Sequence, residues 1–430
     1  MTGTHDEPIP ALLATLQAGW SNPFYRRLWQ GQGLGSPREL EQLLCEARFG
    51  ELPIVRKDDL KRHADEIMCW DGAVDVVSSS GTTGRPVDIP LLAAEEQNRV
   101  DRVRRTIREI GVGPNGRVLD LLSLNDMFAL GPQMWLAIKA EGAMAIRCQA
   151  ARLQRILDVV HYLKPGFVVG NPHVLVAMAE DAIANGLWPD RALLPRAAVF
   201  AVAATFQSDL LPAPVVQRVQ ELWGIETYTS QYGCSEAGTL AYECGHHRGY
   251  HINDGDNLIE LIDPDTGAAC GPGQAGEVVI TALALPRGFL PIRYGTNDIA
   301  AWIDHRACDC GRTSSRLGPV IGRRDHQLKI KGQTLFPELL LQVVDESRLA
   351  RHCAIGVRRT ELGADEATIL VVPAEGVDGG DLVHRLEAIL TRHVPVLPRL
   401  SLIEESQLRA LEERELQRTN GVKVPRVLAL

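Results

Sequence analysis

The sequence predicts an α/β protein with a β-rich subdomain: a large N-terminal domain followed by a small C-terminal α+β domain. Three observations predict it. Amphipathic helical stretches alternate with short, fully apolar runs between about residues 75 and 203, the pattern of a mostly parallel sheet covered on both faces. After about residue 245 the texture changes to strands divided by Gly, Pro and Asp turns. From about residue 326 a shorter α+β pattern begins. The boundary is marked by charge, Arg323-Arg324-Asp325-His326, which divides the chain into residues 1–324 and 325–430.

In chain order, residues 1–75 read as helical and polar. A β-branched run at 74–77 predicts a short strand, and a Ser/Gly/Thr loop follows at once. Residues 93–110 place apolar side chains three and four apart among many charges, which predicts a helix. The same reasoning gives strands at 118–122, 166–170 and 196–203, and helices at 153–163 and 173–185. In the β-rich part, strands at 258–262 and 277–281 are separated by Asp263-Pro264-Asp265-Thr266-Gly267 and Gly271-Pro272-Gly273. The last domain shows a strand at 367–372 and a helix at 382–390.

Composition narrows the function classes. The chain has 430 residues, 45% of them apolar and 23% charged, enough for two or three domains with a sizeable core. The net charge of −9 argues against a nucleic-acid binder. The longest apolar run is about eight residues, 197–204, against the ~20 of a membrane span. The N-terminus has neither a basic stretch nor an apolar one, so a cytoplasmic location is expected. Nine scattered cysteines do not form a disulfide framework.

Five stretches carry candidate chemistry. Ser78-Ser79-Ser80-Gly81-Thr82-Thr83-Gly84 follows a strand and combines hydroxyls with two glycines, which suits a polyphosphate, although it lacks the Gly-Lys-Ser/Thr ending of a Walker loop. In Gln231-Tyr232-Gly233-Cys234-Ser235-Glu236-Ala237-Gly238 a hydroxyl stands beside a carboxylate, a pairing that serves a phosphate oxygen and Mg²⁺, while Tyr232 offers a flat ring to a base. Alone, this stretch reads as a loop after a strand. The others are Arg293-Tyr294-Gly295-Thr296-Asn297-Asp298, Gly322-Arg323-Arg324-Asp325 and Asn420-Gly421-Val422-Lys423. Each is weak by itself.

Their order resembles the adenylate-forming superfamily of acyl-CoA synthetases, adenylation domains and luciferases. Within it the chain is most similar to the phenylacetate-CoA ligase-like branch, through Tyr250-His251-Ile252-Asn253-Asp254, Cys308-Asp309-Cys310-Gly311-Arg312 and Leu335-Phe336-Pro337. The resemblance implies activation of a small, aromatic carboxylic acid to acyl-AMP with release of pyrophosphate, then transfer to CoA as a thioester. It implies that Ser79, Ser80, Gly81, Thr82, Thr83 and Gly84 hold the ATP phosphates. Tyr232 and Gly233 belong to the adenine site, Ser235 contacts the α-phosphate, and Glu236 ligates Mg²⁺. Asp298, helped by Arg323, binds the ribose. Asp325 is the hinge of a small domain that rotates between half-reactions, and Lys423 enters for the first of them.

The branch departs from this chain at Ala201-Val202-Ala203-Ala204, where it usually carries Gly-Ala-Glu. A non-standard acid, with a carrier-protein arm, an amine or a second acid as acceptor, is the alternative reading. A third is a nucleotide-binding protein that has lost catalysis, against which Glu236, Asp298, Arg323 and Lys423 stand together. Related proteins are often homodimers. Cys244, His246, His247 and His251, with Cys308 and Cys310 about 60 residues on, offer thiolates and imidazoles in the number a tetrahedral Zn²⁺ takes. The branch can carry a structural zinc here. Cys244, His251, Cys308 and Cys310 are the best four, with His246 or His247 as substitutes for His251. Phe128, Met134, His173, Ala203 and Ala237 are candidates for the acyl pocket; for Phe128 and Met134 ordinary core packing is an equal reading.

Overall fold

The computed structural model describes residues 8–79, 86–125, 127–201, 205–207, 209–253, 255–283, 286–303, 307–324, 328–330, 333–359, 365–392, 397–419 and 426–430. They fall into two compact units. One is built from residues up to 79, 87–296 and 300–319; the other contains 297–299 and 320–430.

The first unit opens on short helices, among them Pro8–Ser21, Pro23–Gln30 and Pro37–Cys45. Proline stands at the first turn of each of the latter two, where its missing N–H costs nothing. The centre is an eight-stranded sheet in the order Arg316–Leu317, Tyr250–Ile252, Gly238–Glu243, Thr227–Cys234, Ala197–Phe200, Phe167–Gly170, Arg117–Asp120, Met144–Arg147. The last five of these are mutually parallel; the first three join Thr227–Cys234 through antiparallel pairings.

Strand periodicity sorts the parallel half into two cores. Val118, Val169, Ala197 and Val199 face helices Ala93–Arg108 and Leu130–Ala140, through Val100, Val103, Ile107, Met134 and Ala137. Leu119, Val168, Ala198 and Phe200 face Leu153–Leu163, Pro172–Ala184 and Pro214–Trp223, through Ile156, Val160, Leu175, Val216 and Trp223. Successive side chains of a strand point to opposite faces, so an all-apolar strand must be covered twice. Gly224, at φ +74°, ends the helix Pro214–Trp223.

The β-rich part holds Asn257–Ile262, Ala275–Ala282 and Tyr294–Ala301 side by side. The strands expected at 258–262 and 277–281 are both present, extended by one to three residues.

In the second unit a sheet runs Arg399–Leu402, Asp365–Pro373, Ala350–Arg359, Val427–Ala429. Helices Pro337–Glu346 and Gly379–Leu390 cover Cys353, Ile355, Ile369 and Val371 with Leu340, Val344, Leu382 and Leu386. The opposite face packs Ala354, Leu370 and Val372 on Leu408 and Leu428. This is the α+β pattern read from the sequence. Asp325 and Lys423 lie outside the described residues. No helix among the described residues is long and apolar enough to cross a membrane.

Candidate active site

Strand Ala73–Ser78 pairs antiparallel with Asp88–Leu92, so the hydroxyl-rich stretch connects the two arms of a hairpin. Its base is fixed by reciprocal bonds: Ser79 N–H donates to the Val87 carbonyl at 2.9 Å, and Val87 N–H donates to Ser79 Oγ at 2.9 Å. Ser78 Oγ donates to Asp88 Oδ1 at 2.9 Å. Ser80, Gly81, Thr82, Thr83 and Gly84 lie outside the described residues.

The second motif is the turn between strands Thr227–Cys234 and Gly238–Glu243. A Cβ on Gly233 would lie 2.3 Å from the Gly238 carbonyl oxygen, so the two strands close only with glycine there. Gly238 itself has φ +78°. The turn thereby thrusts Ser235 and Glu236 out of the end of the sheet. Ser235 Oγ donates to the Ser78 carbonyl at 3.0 Å, which joins the first two motifs in space.

Glu236 is 6% exposed and accepts at Oε1 from Tyr294 Oη, 2.9 Å away. Tyr294, in the stretch Arg293–Asp298, has no role that its sequence signals; it orients the carboxylate. Its neighbour Arg293 is buried, pairs with Glu260 at 3.1 Å and donates to the carbonyls of Gly50 and Leu52. That anchorage places Tyr294. Tyr232 is buried, with its ring centroid 6.3 Å from that of Tyr250.

In the second unit, Asp298 lies inside strand Tyr294–Ala301, in register with Arg323. Their side chains approach to 3.9 Å.

The weaker pocket candidates separate. Met134 is fully buried among Val100, Val103 and Val118, a core residue by its packing. Phe128 is half-buried, and Ala237 is buried beneath the Ser235–Glu236 turn. His173 is exposed at the start of helix Pro172–Ala184; Asn171 caps that helix by accepting from His173 N–H at 2.9 Å. Ala203 lies outside the described residues.

Cys244, His251, Cys308 and Cys310 converge, with their ligand atoms all within 4.8 Å of one another. Cys244 Sγ lies 3.7 Å from Cys308 Sγ, and Cys310 Sγ lies 3.5 Å from His251 Nε2. A disulfide needs about 2.05 Å, so these thiols are separate. Sulfurs about 2.3 Å from the centre of a tetrahedron stand about 3.8 Å apart, which matches the observed spacing. His251 Nδ1 contacts Ser314 Oγ at 3.0 Å, the outer hydrogen bond that fixes a ligating imidazole. Burial, helped by Arg312 and Arg316, pushes His251 down to about 4 and so keeps it neutral, as a ligand must be. Burial pushes the Cys244 thiol up to about 12, a cost a bound cation would remove.

The substitutes are placed differently. His246 is exposed. His247 contacts Glu243 Oε1 at 3.3 Å and stacks on Tyr228 with centroids 4.0 Å apart.

Comparison with known proteins agrees with this geometry. A family model described as AMP-binding enzyme matches residues 51–290. A phenylacetate-coenzyme A ligase of Thermus thermophilus is 29% identical over 365 residues, covering 82% of this chain and 77% of that protein. Its Escherichia coli namesake is 24% identical over 360 residues, covering 80% and 77%. Among solved structures, a 2-hydroxyisobutyryl-CoA ligase in its postadenylation state superposes with a TM-score of 0.76 at 21% identity, covering 96% of this chain and 91% of that one. An amide bond synthetase from Marinactinospora thermotolerans gives 0.57 at 19% identity, covering 77% and 65%. The structural likenesses show a shared fold.

Proposed function

Because the chain belongs to the AMP-binding enzymes, we propose that it joins a small carboxylic acid to AMP and then passes the acyl group to CoA as a thioester. The observation that carries this reading is the hydrogen bond between Ser235 and the base of the hydroxyl-rich hairpin, beside a buried and oriented Glu236. The phenylacetate-coenzyme A ligase relatives make an aromatic acid the first candidate.

In the first step a carboxylate oxygen of the acid attacks the α-phosphorus of ATP, and the bond to pyrophosphate breaks. No protein nucleophile is needed; the protein aligns the reactants and stabilises spreading negative charge. Ser235 would turn its hydroxyl from the Ser78 carbonyl to an α-phosphate oxygen. Glu236 fits a single-carboxylate Mg²⁺ ligand, since Tyr294 occupies one lone pair and leaves others. The ion would supply charge neutralisation. Tyr232 would meet adenine, Asp298 and Arg323 the ribose, Ser79 with Ser80–Gly84 the outer phosphates, and Lys423 the reacting carboxylate.

In the second step the thiol of CoA replaces AMP at the acyl carbon. Rotation of the small domain about Asp325, a homodimeric state and a cytoplasmic location belong to this reading. Cys244, His251, Cys308 and Cys310 would hold a structural Zn²⁺, closed by four protein ligands and pinning the antiparallel end of the sheet.

The test is pyrophosphate exchange into ATP with a panel of aryl and short aliphatic acids, without CoA. Exchange with one acid is expected; addition of CoA, an amine or a carrier-protein arm then identifies the acceptor. Absence of exchange with every acid, in protein that binds ATP, counts against adenylation.

A further inference from the structure

Helix Ala93–Arg108 buries a polar stripe. Glu95, Arg99, Arg102 and Thr106 are each no more than 3% exposed and follow one another at helical spacing. A helix covering a sheet ordinarily presents apolar residues there, and this helix does so with Val100, Val103 and Ile107. The polar stripe instead follows the hairpin that carries the second motif. Arg99 Nη1 donates to the Ser235 carbonyl at 2.8 Å, and its Nη2 to the Glu236 carbonyl at 3.4 Å. Arg102 Nη1 donates to the Thr239 carbonyl at 3.1 Å. Thr106 Oγ1 donates to Gln231 Oε1 at 3.2 Å.

Arg99 is itself locked. Its Nε and Nη2 donate to Glu95 Oε1 at 3.1 and 2.7 Å. Glu95 Oε2 accepts from Gly288 N–H at 3.0 Å, and Cys69 N–H donates to the Gly288 carbonyl at 2.7 Å. The guanidinium therefore has one position, set by three separate parts of the chain. Gly238 is shaped to admit it: a Cβ there would lie 3.1 Å from Arg99 Cγ. Burying an ion pair carries a desolvation cost, so a packed apolar stripe would serve stability equally well. The arrangement fixes the backbone of two residues whose side chains do the chemistry.

We propose that Arg99, locked by Glu95, is a positioning residue for adenylation: it clamps the Ser235 and Glu236 carbonyls and so aims the hydroxyl at phosphate and the carboxylate at Mg²⁺. This rests on the adenylation reading above. Charge complements the clamp. Arg287 Nη1 stands 3.7 Å from Glu95 Oε1, so Arg99, Arg102 and Arg287 are balanced by two buried acids, Glu95 and Asp256.

The test compares wild type with Arg99→Met and Arg99→Lys by pyrophosphate exchange across a Mg²⁺ titration. Loss of an outer group that orients a ligand costs about 10- to 100-fold in activity or metal affinity. The Met variant is expected to show that loss in kcat and a severalfold higher half-saturating Mg²⁺, and the Lys variant to recover part of both. A folded Met variant with wild-type kcat and Mg²⁺ dependence overturns the proposal. So does a loss that only follows the folded fraction. If the Met variant does not fold, Glu95→Gln, which keeps the shape and weakens the lock, is expected to shift the Mg²⁺ titration the same way; wild-type behaviour overturns the clamp. If wild type exchanges no acid, the adenylation reading fails by itself. Binding of Mn²⁺ with ATP, followed by electron paramagnetic resonance, then decides the clamp: weaker binding in the variants supports it, and equal binding overturns it.

Discussion

The parallel half of the eight-stranded sheet and its antiparallel half share the strand Thr227–Cys234 and are built from different residue types. In the parallel half, Val118, Leu119, Val168, Val169, Ala198 and Val199 fill both faces with apolar groups. In the antiparallel half, the Ser235–Glu236 turn, Cys244 and His251 lie on consecutive strands and their connections. Even the buried carboxylate of Glu243 is taken up, accepting from Ser230 Oγ and from Thr205 Oγ1 at 3.2 Å. Apolar packing constrains volume and tolerates like-for-like exchange. A donor set constrains direction, so a near-isosteric change there removes function before it removes the fold.

Substitutions in each half sharpen that contrast. Cys308→Ser should have the largest effect on stability, a loss of about 5 kcal/mol or more if a structural zinc folds this end of the sheet. Metal content by elemental analysis and thermal denaturation check it; metal-free wild type with full stability breaks the prediction. Glu236→Gln should leave melting nearly unchanged and lower pyrophosphate exchange about 10²- to 10³-fold, the scale of losing one group that stabilises developing charge. Leu119→Ala, in the fully packed parallel half, should do the reverse. It should cost about 3 kcal/mol in denaturant titration and keep exchange per folded molecule.

The smallest expected effect depends on pH. Burial pushes Asp120, at the end of strand Arg117–Asp120, up to about 7. Unfolded, an aspartate titrates near 3.9. Between those values the folded state holds the extra proton, so stability falls as pH rises through the window, and the cost is complete above about 7. Asp120→Asn should therefore stabilise by about 2.7 kcal/mol more at pH 8 than at pH 5. An equal effect at both values contradicts it.

The sequence made the parallel half more legible than the antiparallel one. Helix Leu153–Leu163 has the bounds its periodicity predicts. The strand expected at 118–122 spans Arg117–Asp120 instead, because Leu121 and Leu122 continue past the last pairing. Edge strand Met144–Arg147 is hard to read in the sequence, since its apolar run is short and its alanines have little strand preference. Strand Ala350–Arg359 was hidden by the arginines at its ends.

In the candidate site, motif order pointed to Ser235 and Glu236, and the cysteine and histidine cluster to Cys244, His251, Cys308 and Cys310. It preferred His251 and kept His246 and His247 as substitutes; strand Tyr250–Ile252 brings the His251 ring to the three cysteines. Nor did it reveal Arg99 or Tyr294. Charges at helical spacing read as a solvated face, and only packing against the hairpin shows that Glu95 and Arg99 are inside.

The most direct measurement runs pyrophosphate exchange on wild type and Glu236→Gln side by side, with metal content and melting temperature recorded for both. The account predicts exchange with one carboxylic acid in wild type and its near loss in the variant, with bound zinc and melting temperature unchanged. Exchange that survives the substitution, or that disappears only together with the metal, would contradict the assignment of chemistry to the Ser235–Glu236 turn.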